Sequence, residues 1–95
     1  MSSVAIQEKT KSFTIGGTVE IYLLNAGDGS ITATLPTIVI NGDTYILKRV
    51  DSNASATVTV AAANGNTIQD QASQTIKSNE FIRIVSYGTD WIIIG

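Results

Sequence analysis

The chain has 95 residues, 43% of them hydrophobic and only 15% charged, with a formal net charge of −2. A chain this short is expected to form a single domain, residues 1–95, around one modest core. It has no cysteine and no histidine, which excludes disulfides, thiolate chemistry, Ser-His-Asp hydrolysis and nearly every zinc or iron site.

The basic residues are scattered as Lys9, Lys11, Lys48, Arg49, Lys77 and Arg83. A phosphate-neutralising surface needs clustered Lys and Arg, so nucleic acid is not an expected partner. No run reaches the 18 or so apolar residues of a membrane helix, so no membrane insertion is expected. Met1 to Ala5 lacks the basic and apolar regions of a signal peptide.

The hydrophobic period is two along almost the whole chain, which points to strands. A first, weak strand runs through Val4, Ile6 and Glu8. Phe13 to Ile15 follows, ended by Gly16-Gly17. Thr18 to Leu24 places Val19, Ile21 and Leu23 on one face, with Glu20, Tyr22 and Leu24 on the other. Asn25 to Gly29 is a turn. Ser30 to Leu35 points Ile31, Ala33 and Leu35 inward, and Pro36 stops the ladder because it has no N–H to donate.

Asn41-Gly42 is the strongest short hairpin signal, joining Thr37–Ile40 to a return strand over Thr44–Val50. On that strand Ile46, Lys48 and Val50 share one face and Tyr45, Leu47 and Arg49 the other. Lys48 thus sits among apolar positions. It either pairs with Asp51, Glu80 or a neighbouring copy's carboxylate, or packs its stem and lifts its ammonium to water. Thr57 to Ala61 sends Val58 and Val60 inward. Ile68 to Ile76 is polar and short and reads as a loop. Phe81 to Ser86 is a strand, Tyr87 to Asp90 a tight turn, and Trp91 to Ile94 a closing strand.

About eight short strands imply an all-β fold: an antiparallel β-sandwich, jelly roll or small barrel. Several strands are apolar on both faces. Ile92 and Ile94 oppose Trp91 and Ile93, Phe81 and Val85 oppose Ile82 and Ile84, and Tyr22 and Leu24 oppose Ile21 and Leu23. One face packs inside the subunit; the other needs a second sheet or a second copy. Tyr22, Leu24, Phe81 and Ile93 are the expected oligomer-interface residues, and a charge at Ile93 is expected to disrupt assembly.

From Ile31 onward the chain resembles a module of bacteriophage virion proteins, notably tail fibres and head fibres. The resemblance lies in Ile31-Thr32-Ala33-Thr34-Leu35-Pro36, Gly42 to Asp51, Ala56-Thr57-Val58-Thr59-Val60, Gly65-Asn66-Thr67-Ile68 and Ile82 to Ile94. It covers about two-thirds of the chain. At Gln69-Asp70-Gln71 the chain departs from the family, which more often has an acidic residue followed by glycine. The resemblance implies a small antiparallel β domain on a trimeric virion appendage. Its implied partners are itself, other virion proteins and host surface glycans.

Three residues near the closing turn, Trp91, Tyr87 and Asp90, form the candidate ligand site, since aromatic faces stack on sugar rings. Core or interface packing is the alternative for Trp91. Tyr22 and Tyr45 are further aromatic candidates. Asp28, Asp43, Asp51, Asp70 and Asp90 fall in turns, where an aspartate caps its own backbone; their spacing matches no calcium loop, and no metal or cofactor is expected. The carboxylates suggest no glycosidase pair. The expected role is a non-enzymatic virion component that works by symmetric self-assembly, most simply a homotrimeric fibre, knob or capsid-decorating protein. A host-polysaccharide receptor-binding domain is the alternative.

Overall fold

The computed structural model describes residues 5–16, 19–37 and 41–95. Every regular element among them is a strand: β1 (Ile6–Lys9), β2 (Phe13–Thr14), β3 (Ile21–Leu24), β4 (Ile31–Thr34), β5 (Thr44–Arg49), β6 (Val58–Ala61), β7 (Ser73–Ile76), β8 (Phe81–Tyr87) and β9 (Asp90–Ile93). They form a five-stranded sheet, in the order β1-β3-β5-β8-β9, and a four-stranded sheet, in the order β2-β4-β6-β7. The all-β expectation and the two-layer, sandwich-like arrangement hold.

The expectation of purely antiparallel pairing does not. β1, β3 and β5 run parallel in one sheet, and β2, β4 and β6 run parallel in the other. Successive strands therefore alternate between the sheets, and each return lands in register on the strand laid down one turn earlier. The chain winds through its first six strands instead of folding back in hairpins. A parallel neighbour needs a crossover connection, and here the opposite sheet supplies it. The last three strands pair antiparallel: β7 on β6, β8 on β5 and β9 on β8.

The return strand expected after Asn41-Gly42 is β5, which has β3 along one edge and β8 along the other. Residues 38–40 of the expected partner strand lie outside the described residues. The Gly42 amide donates to the Ser86 carbonyl at 3.0 Å, and Asn41 Oδ1 accepts from the Gly88 amide. Both contacts tie this turn to the β8–β9 corner. That corner is the tight turn expected from the sequence. Tyr87 pairs with Asp90 across it, and Gly88, at φ +67°, supplies the left-handed conformation at the first central position.

The stretch 68–76 is another correction. Ser73–Ile76 forms β7, with Ile76 opposite Val58 and fully buried. Its single inward isoleucine left too faint a period to read beside the polar residues around it. Ahead of it, Ile68 and Gln71 exchange two backbone bonds of 2.7 and 3.0 Å. Gln69 and Asp70 complete that turn at φ +49° and +68°, a conformation that glycine adopts at lower cost. The turn is held against β9: the Gln69 amide donates to the Trp91 carbonyl at 2.8 Å, and Gln69 Oε1 accepts from the Ile93 amide at 3.1 Å.

Between the sheets lies one hydrophobic core. Ile31, Ala33 and Leu35, with Val58 and Val60, point inward as their alternation predicts. From the facing sheet come Tyr22, Leu24, Tyr45, Leu47, Ile84 and Trp91. Stacking in register places like residues over like across neighbouring strands, Ile31 beside Val58 and Ala33 beside Val60, so the interior fills in layers.

Candidate functional site

Trp91, the leading ligand candidate, is fully buried. It pairs with Ser86 across the hairpin, and the β8–β9 register puts both side chains on the core side. Four aromatic rings line up through the interior: Phe13 to Tyr22 at 5.1 Å, Tyr22 to Tyr45 at 6.5 Å and Tyr45 to Trp91 at 5.7 Å between centroids. All three contacts are tilted, as ring quadrupoles prefer. Trp91, Tyr22 and Tyr45 thus stack on each other and have no face free for a sugar ring. Burial raises the phenol pKa of both Tyr22 and Tyr45; backbone bonding from Tyr22 to Gly16 opposes it, and the Asp43 charge adds to it at Tyr45.

The other two candidates diverge. Tyr87 stands at the turn with 74% of its surface exposed. Asp90 is partly buried, and its Oδ1 accepts from the Thr67 amide at 3.0 Å. It pins the 67–71 segment to β9, a structural role. Of the proposed trio, only Tyr87 is presented to solvent.

The interface candidates are sorted in the same way. Tyr22 is 2% exposed and Leu24 is fully buried, so neither has area left to offer a second copy. Ile93 is partly buried and packs on the core, so the assembly effect expected of a charge there would be confounded with loss of the fold. Phe81 alone is outward, 51% exposed. Two-sidedness was legible in the sequence; the phase of β3 and β9 was not. Alternation shows which residues share a face, while only the opposing sheet decides which face is inside.

The outward residues form two contrasting surfaces. On the four-stranded sheet the register lines up Thr14 with Thr34, and Thr32 with Thr59 and Thr75, an uncharged hydroxyl face. On the five-stranded sheet, Ile6, Ile21 and Ile46 form one row across three strands. Val85 and Ile92 form a second, and Leu23, Lys48 and Phe81 a third. Ile6, Phe81, Ile92 and Ile94 are exposed. Isolated apolar residues on a surface are ordinary, but a contiguous block of rows is not. This face is the candidate functional surface.

The charged residue on the inward face of β5 is Arg49, not Lys48. Lys48 lies on the outer face and donates to the Asn79 carbonyl; it does not pair with Asp51 or Glu80. Arg49 is 5% exposed and Asp51 9%. Their side chains meet at 3.0 Å from Nη2 to Oδ1, with Nε donating to Oδ2 at 3.1 Å. The guanidinium also donates to the carbonyls of Ile76, Asn53 and Ala56. Asp51 accepts in turn from the amides of Ala26, at 2.7 Å, and Asn53, at 2.9 Å. The hydrogen bonds from Arg49, above all, hold the Asp51 carboxyl far below the usual carboxylate range, against the opposing effect of burial. This cluster ties the end of β5 to β7 and to the turns at 25–29 and 51–56. Every strong contact in it is internal, so it is a staple of the fold and not a reactive site. Its aspartate does cap its own turn, as the sequence suggested.

Among the described residues no group of three or more Asp or Glu side chains is placed to hold a metal ion. No family model and no curated protein sequence matches this chain.

Proposed function

We propose that this chain is a non-enzymatic structural module of a virion appendage, a fibre, knob or capsid-decorating element, that works by symmetric self-association. The observation that carries the assembly reading is the uncovered apolar face of the five-stranded sheet. Strands about 4.8 Å apart and side chains repeating about every 7 Å give that face roughly 400–500 Å². That is comparable to the largest apolar patch on a typical soluble monomer, which is often functional. Covered by a second copy, it amounts to about 900 Å² in total, close to the smallest specific interfaces. The virion setting and the other virion proteins as partners rest on the resemblance from Ile31 onward; pairing this face with its own copy closes a two-fold pair, and the trimer implied by the resemblance needs a separate contact.

The test is oligomeric state by light scattering after size exclusion. The wild-type chain is expected to assemble, and Ile92→Lys or Ile6→Lys to give monomers with an unchanged far-ultraviolet circular dichroism spectrum. Both residues are exposed, so a charge there does not disturb the core. A wild type that stays monomeric at millimolar concentration would overturn the reading.

A second reading, recognition of a host surface glycan, is favoured by one observation, the exposed ring of Tyr87 at the β8–β9 turn. A glycan array compares wild type with Tyr87→Ala. A sugar signal lost in the variant supports it; no signal from wild type sinks it.

A further inference from the structure

We infer that a second copy of this chain covers the outer face of the five-stranded sheet, with the acidic β1 side of one copy over the basic β5–β8 side of the other. The inference rests on the self-assembly reading above and adds to it the relative placement of the two copies.

The apolar rows of this face carry charges of opposite sign toward opposite edges. Glu8, on β1, continues the row of Leu23, Lys48 and Phe81. Arg83, on β8, continues the row of Ile6, Ile21 and Ile46. Among the described residues none of these charges is in an ion pair; the one ion pair there is the internal one between Arg49 and Asp51. Among the described residues Glu8 accepts from the Asn25 side-chain amide, at 3.3 Å, and Lys48 donates to a backbone carbonyl. Arg83 lies exposed beside the chain end, its stem near Gly95.

A charge taken out of water without a partner costs more than the surrounding apolar contact returns. Laying β8 over β8 would confront Arg83 with Arg83 and leave Glu8 opposite its own kind. Laying β1 over β8 keeps the isoleucine rows in contact and sets Glu8 one row, about 7 Å along the strands, from Arg83, a gap the long arginine side chain reaches across. Such complementarity selects one alignment among several that bury equal apolar area.

The experiment is sedimentation equilibrium on the full chain with Glu8→Arg, Arg83→Glu and the double variant, with urea unfolding of each as a check on folding. Each single change is expected to weaken association about tenfold or more, and the double change to recover most of it, the pattern of a charge pair across an interface. Singles that assemble like wild type, or a double variant no better than the singles, overturn the alignment while self-assembly stands. A monomeric wild type overturns the underlying reading instead. Should a charge variant fail to fold, mixing Ile6→Cys with Ile92→Cys settles the matter, since the native chain has no cysteine. A mixed disulfide forming faster than either homodimer supports the alignment; homodimers forming first refute it.

Discussion

Arg49→Ala is expected to lower stability by about 3–5 kcal/mol, the cost of leaving one partner of a buried ion pair alone. Against a total of about 5–15 kcal/mol for a small domain, that is a large fraction of the stability. The change strands the Asp51 carboxylate and frees the carbonyls of Ile76, Asn53 and Ala56 at once. Arg49→Lys should recover little, because an ammonium lacks the planar fork that reaches several acceptors together. Urea midpoints measured at neutral pH check both. An Arg49→Ala midpoint matching that of wild type would show that the cluster is not a staple.

The same cluster sets an acid limit on the fold. Asp51 has a folded pKa well below its ordinary 3.8, so between the two values the unfolded chain binds the extra proton. Stability therefore rises with pH through that range. The contribution is present in full above about pH 5 and is lost progressively as the pH falls below it. Urea midpoints of wild type are expected to drop between pH 5 and pH 3 more steeply than those of Asp51→Asn, which has no proton to take up there. Parallel slopes would contradict the assignment.

Trp91→Ala is expected to cost about 3–5 kcal/mol, as for other large-to-small changes in a core. The residue is fully buried and ends the aromatic row through Tyr45. Its indole Nε1 is buried without a hydrogen-bond partner among the described residues. Trp91→Phe should therefore lie much nearer wild type than Trp91→Ala, because removing an unpaired buried donor offsets part of the lost contact. Tyr87→Ala, at an exposed turn, is expected to fall within about 0.5 kcal/mol of wild type. Thermal or urea unfolding of the three variants separates these cases. Equal losses at Trp91 and Tyr87 would mean that the two aromatics do not divide between core and surface.

Strand positions were largely legible because alternation is a local property. Ile31, Ala33, Leu35, Val58 and Val60 could be assigned inward from their neighbours alone, since threonine or serine fills most of the alternate positions. The turn at Gly88 was legible because the left-handed conformation it needs selects glycine. Where both faces of a strand are apolar, as at Ile21 to Leu24 and Trp91 to Ile94, alternation defines two sets and is silent on which is inside. Trp91, Tyr22 and Tyr45, offered as surface readers, were lost to the core for that reason, while Tyr87 stayed at the surface. Lys48 and Arg49 exchanged roles on the same account.

Pairing direction also escaped the sequence. A strand that will run parallel to one fifteen or twenty-five residues away has the same composition as one that closes a hairpin. An all-β chain of few charges, with no histidine or thiol chemistry and more apolar strand surface than one core absorbs, was determined by residue types and their period, which act locally. Which surface stayed outside, how the strands wind between two sheets, and that Arg49 and Asp51 meet at the core's edge were decided only by tertiary structure. Those outcomes depend on contacts between residues far apart in the chain, and no local pattern records them.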